Sequence, residues 1–381
     1  MPNFQYSILC TLIAICLLSL SSVPNSVSAD WPRHRGDAAL NGVSESKLGD
    51  SLQLLWNYST GDFLKSSVVV TDNVAYVGSE DGGLHAIRTD NGKQKWVYQT
   101  KMAIEAPPLL YDGKVIVGST DGFLYCIEQN SGKLIWKYET MGEIMGAANQ
   151  ASRPKSKDDV IVFGSYDNFV HCLAADSGEL LWKFEAQNYI NGVPTIYENK
   201  YVVFGGCDAM LYVVNLEDGK NVRSIEVEAP IAASVAIADG VGYVGDMDRS
   251  VTAFNLENGE VIWNYRSKSF PYFSSPALSV SNVFIGGRDK GMHCIDRVSG
   301  KKVWRFAARG RIDSSPVITE DKVVFGAMDG KLYLISRTNG EEIASYEIGE
   351  AISSTPAIVG NKIIVGCEDG NVYAFDTKGK K

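Results

Sequence analysis

Glycine recurs in this chain at a fixed interval. Gly78, Gly118, Gly164, Gly205, Gly245, Gly286, Gly326 and Gly366 are separated by 40, 46, 41, 40, 41, 40 and 40 residues. Each opens a copy of one pattern. In the sixth copy Gly286 is followed three residues later by Asp289, then by the run Gly291-Met292-His293-Cys294-Ile295, and finally by Gly300 and Trp304, four residues apart. A repeat of this length restricts the chain to a solenoid or a propeller, because one such unit cannot bury its apolar face alone.

The units read as strands. Ser274-Ser275-Pro276-Ala277-Leu278, Val283-Phe284-Ile285-Gly286, Gly291-Met292-His293-Cys294-Ile295 and Lys302-Val303-Trp304-Arg305-Phe306 are short, rich in β-formers and bounded by Gly, Asn, Asp or Ser. Asp81-Gly82, Asp121-Gly122, Asp329-Gly330 and Asp369-Gly370 suit hairpins that need positive φ. Four strands in roughly 40–45 residues make a propeller blade. Eight glycines mark eight copies of the first three strands, but the closing strand follows only Gly92, Gly132, Gly178, Gly219, Gly259, Gly300 and Gly340. The unpaired strand Leu54-Leu55-Trp56-Asn57-Tyr58 supplies the missing piece. The expected fold is all-β: an eight-bladed β-propeller with four antiparallel strands per blade, closed by an N-terminal strand pairing with the last blade.

Three segments are expected: a leader at 1–29, a lead-in at 30–53 and a single propeller at 54–381. The leader combines the apolar run Ile8 to Leu20 with Val27-Ser28-Ala29, a small-residue cleavage site before Asp30. Neither Cys10 nor Cys16 follows a small residue, so no lipidation box is present. Export to a periplasm or beyond is expected, with no membrane span in the mature chain. The lead-in is polar and is expected to lie across one face, anchored by Trp31 and Leu40. With 45% hydrophobic residues the chain can bury a large core, and its net charge of −9 without a basic run argues against nucleic acid or an anionic membrane as partner.

Most residue types that draw attention singly dissolve into the repeat. His85, His171 and His293 take the place held elsewhere by Tyr125, Tyr212, Tyr333 and Tyr373, and His34 stands alone in the lead-in. Cys126, Cys172 and Cys294 share a position filled by small apolar residues in other copies, which marks buried thiols; Cys207 and Cys367 are expected to be more exposed. Trp56, Trp96, Trp136, Trp182, Trp263 and Trp304 recur once per unit, with Arg223 and Ala344 in the two vacant slots. A residue present in nearly every blade serves contacts between blades, and each indole N–H is expected to bond a nearby backbone carbonyl. Blade three carries an insertion around Lys155, expected to be a solvated loop. No HExxH, GxSxG or phosphate-binding loop occurs.

Units such as Asp121-Gly122-Phe123-Leu124-Tyr125-Cys126-Ile127 with Ser131-Gly132-Lys133-Leu134-Ile135-Trp136 resemble the tryptophan-docking repeat of quinoprotein-type propellers, the pyrroloquinoline quinone (PQQ)-like repeat family. The resemblance runs from Leu54 to Asp376. It implies one of two functions. PQQ-dependent alcohol dehydrogenases hold a calcium-bound quinone in the axial funnel, typically with a vicinal Cys–Cys ring and long inserts; this sequence has no Cys–Cys pair and near-minimal units. Short propellers of the BamB type, which scaffold outer-membrane assembly, are closer in size.

Aligning the units places Lys65, Glu105, Asn191, Ala232, Phe273, Asp313 and Ser353 at the start of the innermost strands, with blade three ambiguous near Met145. Glu105, Asn191 and Asp313 carry oxygens of the kind calcium takes, and Lys65 is a counter-charge. The expected channel is polar and water-filled, without PQQ, calcium or another metal, and with no catalytic residue. The favoured function is an exported, non-catalytic, monomeric scaffold that binds a protein in the cell envelope. Alternatives are a PQQ/calcium-dependent dehydrogenase-like protein, or small-ligand or carbohydrate binding in the channel.

Overall fold

The computed structural model describes residues 30–266 and 270–378. The expected leader, 1–29, lies outside the described residues. Those described contain no helix; their 32 strands form eight four-stranded antiparallel sheets. Blades one to seven use consecutive strands within 69–99, 109–139, 149–185, 195–226, 236–266, 277–307 and 317–347. The eighth takes three strands from 357–376 and its fourth from Gln53–Ser59. That strand runs antiparallel to Asn371–Asp376, with Asn57 opposite Tyr373 and Tyr58 opposite Val372. The ring is therefore closed as the strand count requires, and the edge an open array would expose is covered.

Space explains the periodic glycine. A Cβ on Gly78 would lie 2.1 Å from Ile104 Cγ2, and one on Gly326 would lie 2.1 Å from Ile352 Cγ2. Each isoleucine belongs to the loop that enters the next blade and is buried. Ile144, Ile190, Ile231 and Ile312 repeat the contact; Tyr272 makes it on Gly245, and Leu64 on Gly366. The core is thus a series of layers between blades, and any side chain at the glycine would push neighbouring blades apart.

The tryptophans make the second contact between blades. Trp96 Nε1 donates to Gln129 O of blade two at 3.0 Å, with its ring against Gly132. Trp56, Trp136, Trp182, Trp263 and Trp304 donate likewise to Thr89, Ala175, Leu216, Arg297 and Arg337 carbonyls at 3.0–3.3 Å. A β-bulge just before each slot turns the ring inward, for example between Ala86 and Ile87 opposite Trp96. Arg223 imitates the indole: its stem lies on Gly259 and its guanidinium donates to Glu257 O and Asn258 O. At Ala344 nothing of that size is present, and Leu48 from the lead-in is buried in the same apolar cluster.

Turn aspartates and histidines also prove to be blade residues. Asp121 Oδ1 accepts from Phe123 N at 3.1 Å and its Oδ2 from the Tyr125 hydroxyl at 2.7 Å. His171 and His293 reach Asp167 and Asp289 at 3.1 Å in the same way, and His85 sits 3.2 Å from Ser79 Oγ. Burial pushes the Cys126, Cys172 and Cys294 thiols up to about 12. Cys207 is half-buried, but Cys367 is fully buried, against expectation, because the loop entering blade eight folds over it and brings Glu350 O to 3.4 Å of its sulfur. The blade-three insertion folds back on blade four: Arg153 donates to Glu217 O at 3.2 Å and Lys155 N to Glu217 Oε2 at 2.9 Å.

Candidate functional site: the axial channel and its two ends

Residues entering the first strand of each blade form the mouth of a channel on the propeller axis. Lys65, Glu105 and Asn191 line it, as do Ala232, Phe273 and Ser353, and Met145 fills the place in blade three. Two residues deeper lies a second ring. Blades five to eight and blade one contribute Ser234, Ser275, Ser315, Thr355 and Ser67, whereas blades two to four contribute Pro107, Ala147 and Val193. The space from the mouth down to His34 is about 180 Å³.

The oxygens expected at the mouth are already engaged. Lys65 Nζ lies 2.8 Å from Glu80 Oε1 and 3.1 Å from Glu105 Oε1. The Glu80 contact above all raises the Lys65 ammonium from its ordinary value, and burial raises the Glu105 carboxyl. Asn191 accepts from the Tyr166 hydroxyl and donates to Cys207 Sγ at 2.9 Å. Asp313 does not line the channel. Arg288 draws it sideways in a bidentate pair at 2.9 and 3.0 Å, Arg311 adds a contact at 3.3 Å, and the Arg288 guanidinium lies 3.6 Å from the Phe273 ring centre.

Calcium takes roughly six to eight oxygen ligands. Here an ammonium neutralises one carboxylate, an amide is spent on its neighbours and the other carboxylate is turned away. Among the described residues no group of three or more His, Cys, Asp or Glu is placed to hold a metal ion. The space is also below the roughly 300 Å³ at which small-ligand sites usually begin. These donors do not fit a calcium-bound quinone at the axis.

The far end of the channel is closed by residues 31–44, which travel round the ring in blade order. Trp31 exchanges two 2.8 Å backbone bonds with Val70 of blade one, and Pro32 O accepts from Leu110 N of blade two at 2.7 Å. Arg33 donates to Asn149 Oδ1 of blade three at 2.9 Å. Ala38 O, Ala39 O, Asn41 O and Gly42 O then accept from Ile196, Ile237, Leu278 and Ile318 amides of blades four to seven at 2.9–3.1 Å. The innermost strands would otherwise leave these N–H groups unpaired, which is costly once buried. Leu40 packs on Ala147 and Val193, the apolar side of the second ring. On the other side Arg35, fully buried, donates to Pro276 O and Pro316 O at 2.6 and 2.5 Å. Burial lowers its guanidinium to about 9 and the His34 imidazole to about 3, so His34 is neutral at ordinary pH.

The opposite end is open. There the second hairpin turn of each blade bonds to the entry loop beside it, as Glu80 N does to Phe63 O and Cys207 N to Tyr189 O, both at 3.0 Å. From this face Phe63, Met102, Met141, Tyr189, Met247 and Phe270 project around the mouth, exposed by 62, 53, 93, 48, 42 and 49%. Scattered apolar residues are ordinary on a surface, but a collar of aromatic and methionine side chains on one face has the composition of an interface core. Charge is unevenly spread about it. Asp62, Glu350, Glu368 and Asp369 flank Phe63 in a notch of about 480 Å³ between blades eight and one, while Arg288, Arg309 and Arg311 lie on blades six and seven. The collar carries no repeated signature: Phe63 and Tyr189 share one loop position and Met102 and Phe270 another, while Met141 and Met247 stand elsewhere.

These features define a tryptophan-docked eight-bladed propeller, sealed at one end and presenting an apolar collar at the other. The chain belongs to the family described as outer membrane protein assembly factor BamB, whose model matches residues 50–168, 166–281 and 271–381. Among solved structures, BamB from Moraxella catarrhalis is 16% identical, with a TM-score of 0.73 over 87% of this chain and 99% of that one. The quinohemoprotein alcohol dehydrogenase from Comamonas testosteroni is also 16% identical, with a TM-score of 0.76 over 93% and 81%. The computationally designed Ika8 protein is similar too, at 16% identity and a TM-score of 0.71 over 84% and 98%. At such identities the likeness is one of fold. No curated protein sequence matches the chain.

Proposed function

We propose that this chain is a non-catalytic docking ring of the cell envelope, acting after export as an assembly-factor scaffold that holds a protein partner on its open face. The observation that carries this reading is the collar of Phe63, Met102, Met141, Tyr189, Met247 and Phe270 around the channel mouth. Exposed aromatic and methionine side chains are anchors whose burial by a partner is favourable, and Tyr189 is held ready by stacking on Tyr166 at 4.8 Å. The acidic notch beside Phe63 and the arginines of blades six and seven would orient that partner, favouring one with a basic side chain near its apolar anchor. Family membership is consistent with this role, and the spent donors at the axis speak against quinone chemistry. No helix of the described residues is long and apolar enough to cross a membrane.

The dehydrogenase reading is separated by reconstitution. The purified chain is mixed with PQQ and calcium, then assayed for a bound chromophore and for dye-linked alcohol oxidation. Neither is expected; turnover above the protein-free control would overturn the scaffold reading.

A further inference from the structure

The closed end of the channel holds more hydrogen-bond donors and more positive charge than the protein itself satisfies. The Ser67, Ser234, Ser275 and Ser315 hydroxyls each accept a backbone N–H across a blade junction, from Thr355, Val193, Ser234 and Ser275 at 2.8–3.0 Å. A hydroxyl that accepts still has its own proton to donate. Among the described residues none of these four protons has a protein acceptor, and all four groups line the cavity.

Below them His34 also lines the cavity, and its Nδ1 is enclosed without a partner. A neutral imidazole carries one proton. Leaving a bare lone pair in the enclosed position strands no donor, which places the proton on Nε2, the nitrogen left to face the space. Behind His34 is Arg35, whose two bonded carbonyls, Pro276 O and Pro316 O, directly follow Ser275 and Ser315 in the chain. Its Nε has no partner. Buried charges are normally paired. Among the described residues neither Arg33 nor Arg35 makes an ion pair, and the single carboxylate of this segment, Asp37, accepts from Asn41 N at 3.1 Å. Two guanidinium groups against one carboxylate leave a positive charge unanswered. At the mouth, the other end of the channel, Glu80 and Glu105 share the single ammonium of Lys65, and burial raises the Glu105 carboxyl toward its neutral form.

We propose that the closed end of the axial channel binds a small monovalent inorganic anion of halide size. It receives the Ser275 and Ser315 hydroxyls and His34 Nε2–H, with Ser67 and Ser234, on opposite sides of the ring, reaching it through waters, and balances the charge of Arg35. The cavity of about 180 Å³ holds such an ion with a few waters, each taking roughly 30 Å³. The ring of donors covers only one side; Pro107, Ala147 and Val193 form the other. A half-apolar site suits a weakly hydrated halide and excludes a divalent oxyanion, which needs donors all round. The inference is independent of the proposed docking function.

The test uses the full mature chain. Thermal unfolding is followed in sodium chloride, sodium bromide and sodium gluconate at matched ionic strength, since a ligand bound only by the folded state raises the midpoint with its concentration. A saturable rise is expected in both halides and not in gluconate. Crystals grown in bromide should give an anomalous peak inside the channel between the serine ring and His34. Replacing Ser275→Ala and Ser315→Ala together should raise the half-saturating halide concentration at least tenfold. Should that variant not fold, His34→Phe keeps the ring and removes one donor, and should weaken the halide dependence alone. Superimposable curves in the three salts, or bromide found only on the protein surface, would overturn the proposal.

Discussion

Replacing Trp96 by alanine tests whether the tryptophans hold blades together. Trp96 is 9% exposed, its indole N–H reaches Gln129 O at 3.0 Å, and its ring lies against Gly132. A buried tryptophan withdraws roughly 200 Å² from water, which at about 25 cal/mol/Å² is about 5 kcal/mol. The lost hydrogen bond adds about 1 kcal/mol. Partial collapse of blades one and two returns some of this, so a loss of about 3–5 kcal/mol is expected, the usual range for truncating a buried aromatic. For a ring of this size an unfolding entropy of about 0.7 kcal/mol/K converts that loss into a fall in Tm of roughly 4–7 °C. Trp96→Phe retains most of the apolar contact and removes the shorter of two bonds to the Gln129 carbonyl, the Tyr76 hydroxyl at 3.4 Å remaining, and should cost about 1 kcal/mol. Both are read by calorimetry and by urea unfolding followed by circular dichroism. A loss below about 1 kcal/mol for the alanine variant would refute the packing role and favour a surface platform for a ligand.

Further outcomes follow from the same contacts. Gly132→Ala should lower stability by at least about 1 kcal/mol, because its φ of +71° disfavours a side chain and the added Cβ would lie 2.8 Å from Trp96 Cδ2; a neutral result in the same melt would contradict the stacking. Asn57→Pro interrupts the pairing of Gln53–Ser59 with Asn371–Asp376 and should lower Tm by several degrees and promote aggregation, measured by melting and light scattering. His34 has its folded pKa depressed to about 3, so below pH 6.5 the unfolded chain takes up a proton that the folded chain refuses. Its contribution therefore destabilises the protein by up to about 1.4 kcal/mol per pH unit between about 6.5 and 3, and His34→Gln should flatten that part of the stability–pH curve. Finally, a thiol reagent at pH 8 should label Cys207 well before Cys126, Cys172, Cys294 or Cys367, whose thiols burial pushes up to about 12.

What could be read from the sequence was whatever repeats. The glycine period, the turn aspartates and the Trp slots each occur many times, so one copy's ambiguity is resolved by its sisters; this gave eight blades, the closing strand and the docking bonds. What occurs once was not legible. The lead-in could be expected on one face, but its circuit from Val70 to Ile318 is made by backbone groups, which carry no residue signature. Asp313 occupies the aligned axial position, yet Arg288, 25 residues away in sequence, takes it out of the channel. His34 stands alone in the sequence of the lead-in and Arg35 beside it carries no signal, because their burial depends on walls from blades six and seven. Cys367 failed for the same reason, being covered by the loop that enters its blade.

The central claim is that the open face, rather than the sealed face or the axis, does the work. A photo-crosslinking amino acid placed at Met141 or Phe270 on the collar is compared, in cells producing the protein, with one at Val280 or Val298, which are 92 and 84% exposed in turns of the opposite face. A discrete adduct with the same protein is expected from both collar positions, weakened by Phe63→Asp, and none from Val280 or Val298. Adducts confined to the opposite face, or collar adducts indifferent to Phe63→Asp, would contradict the claim.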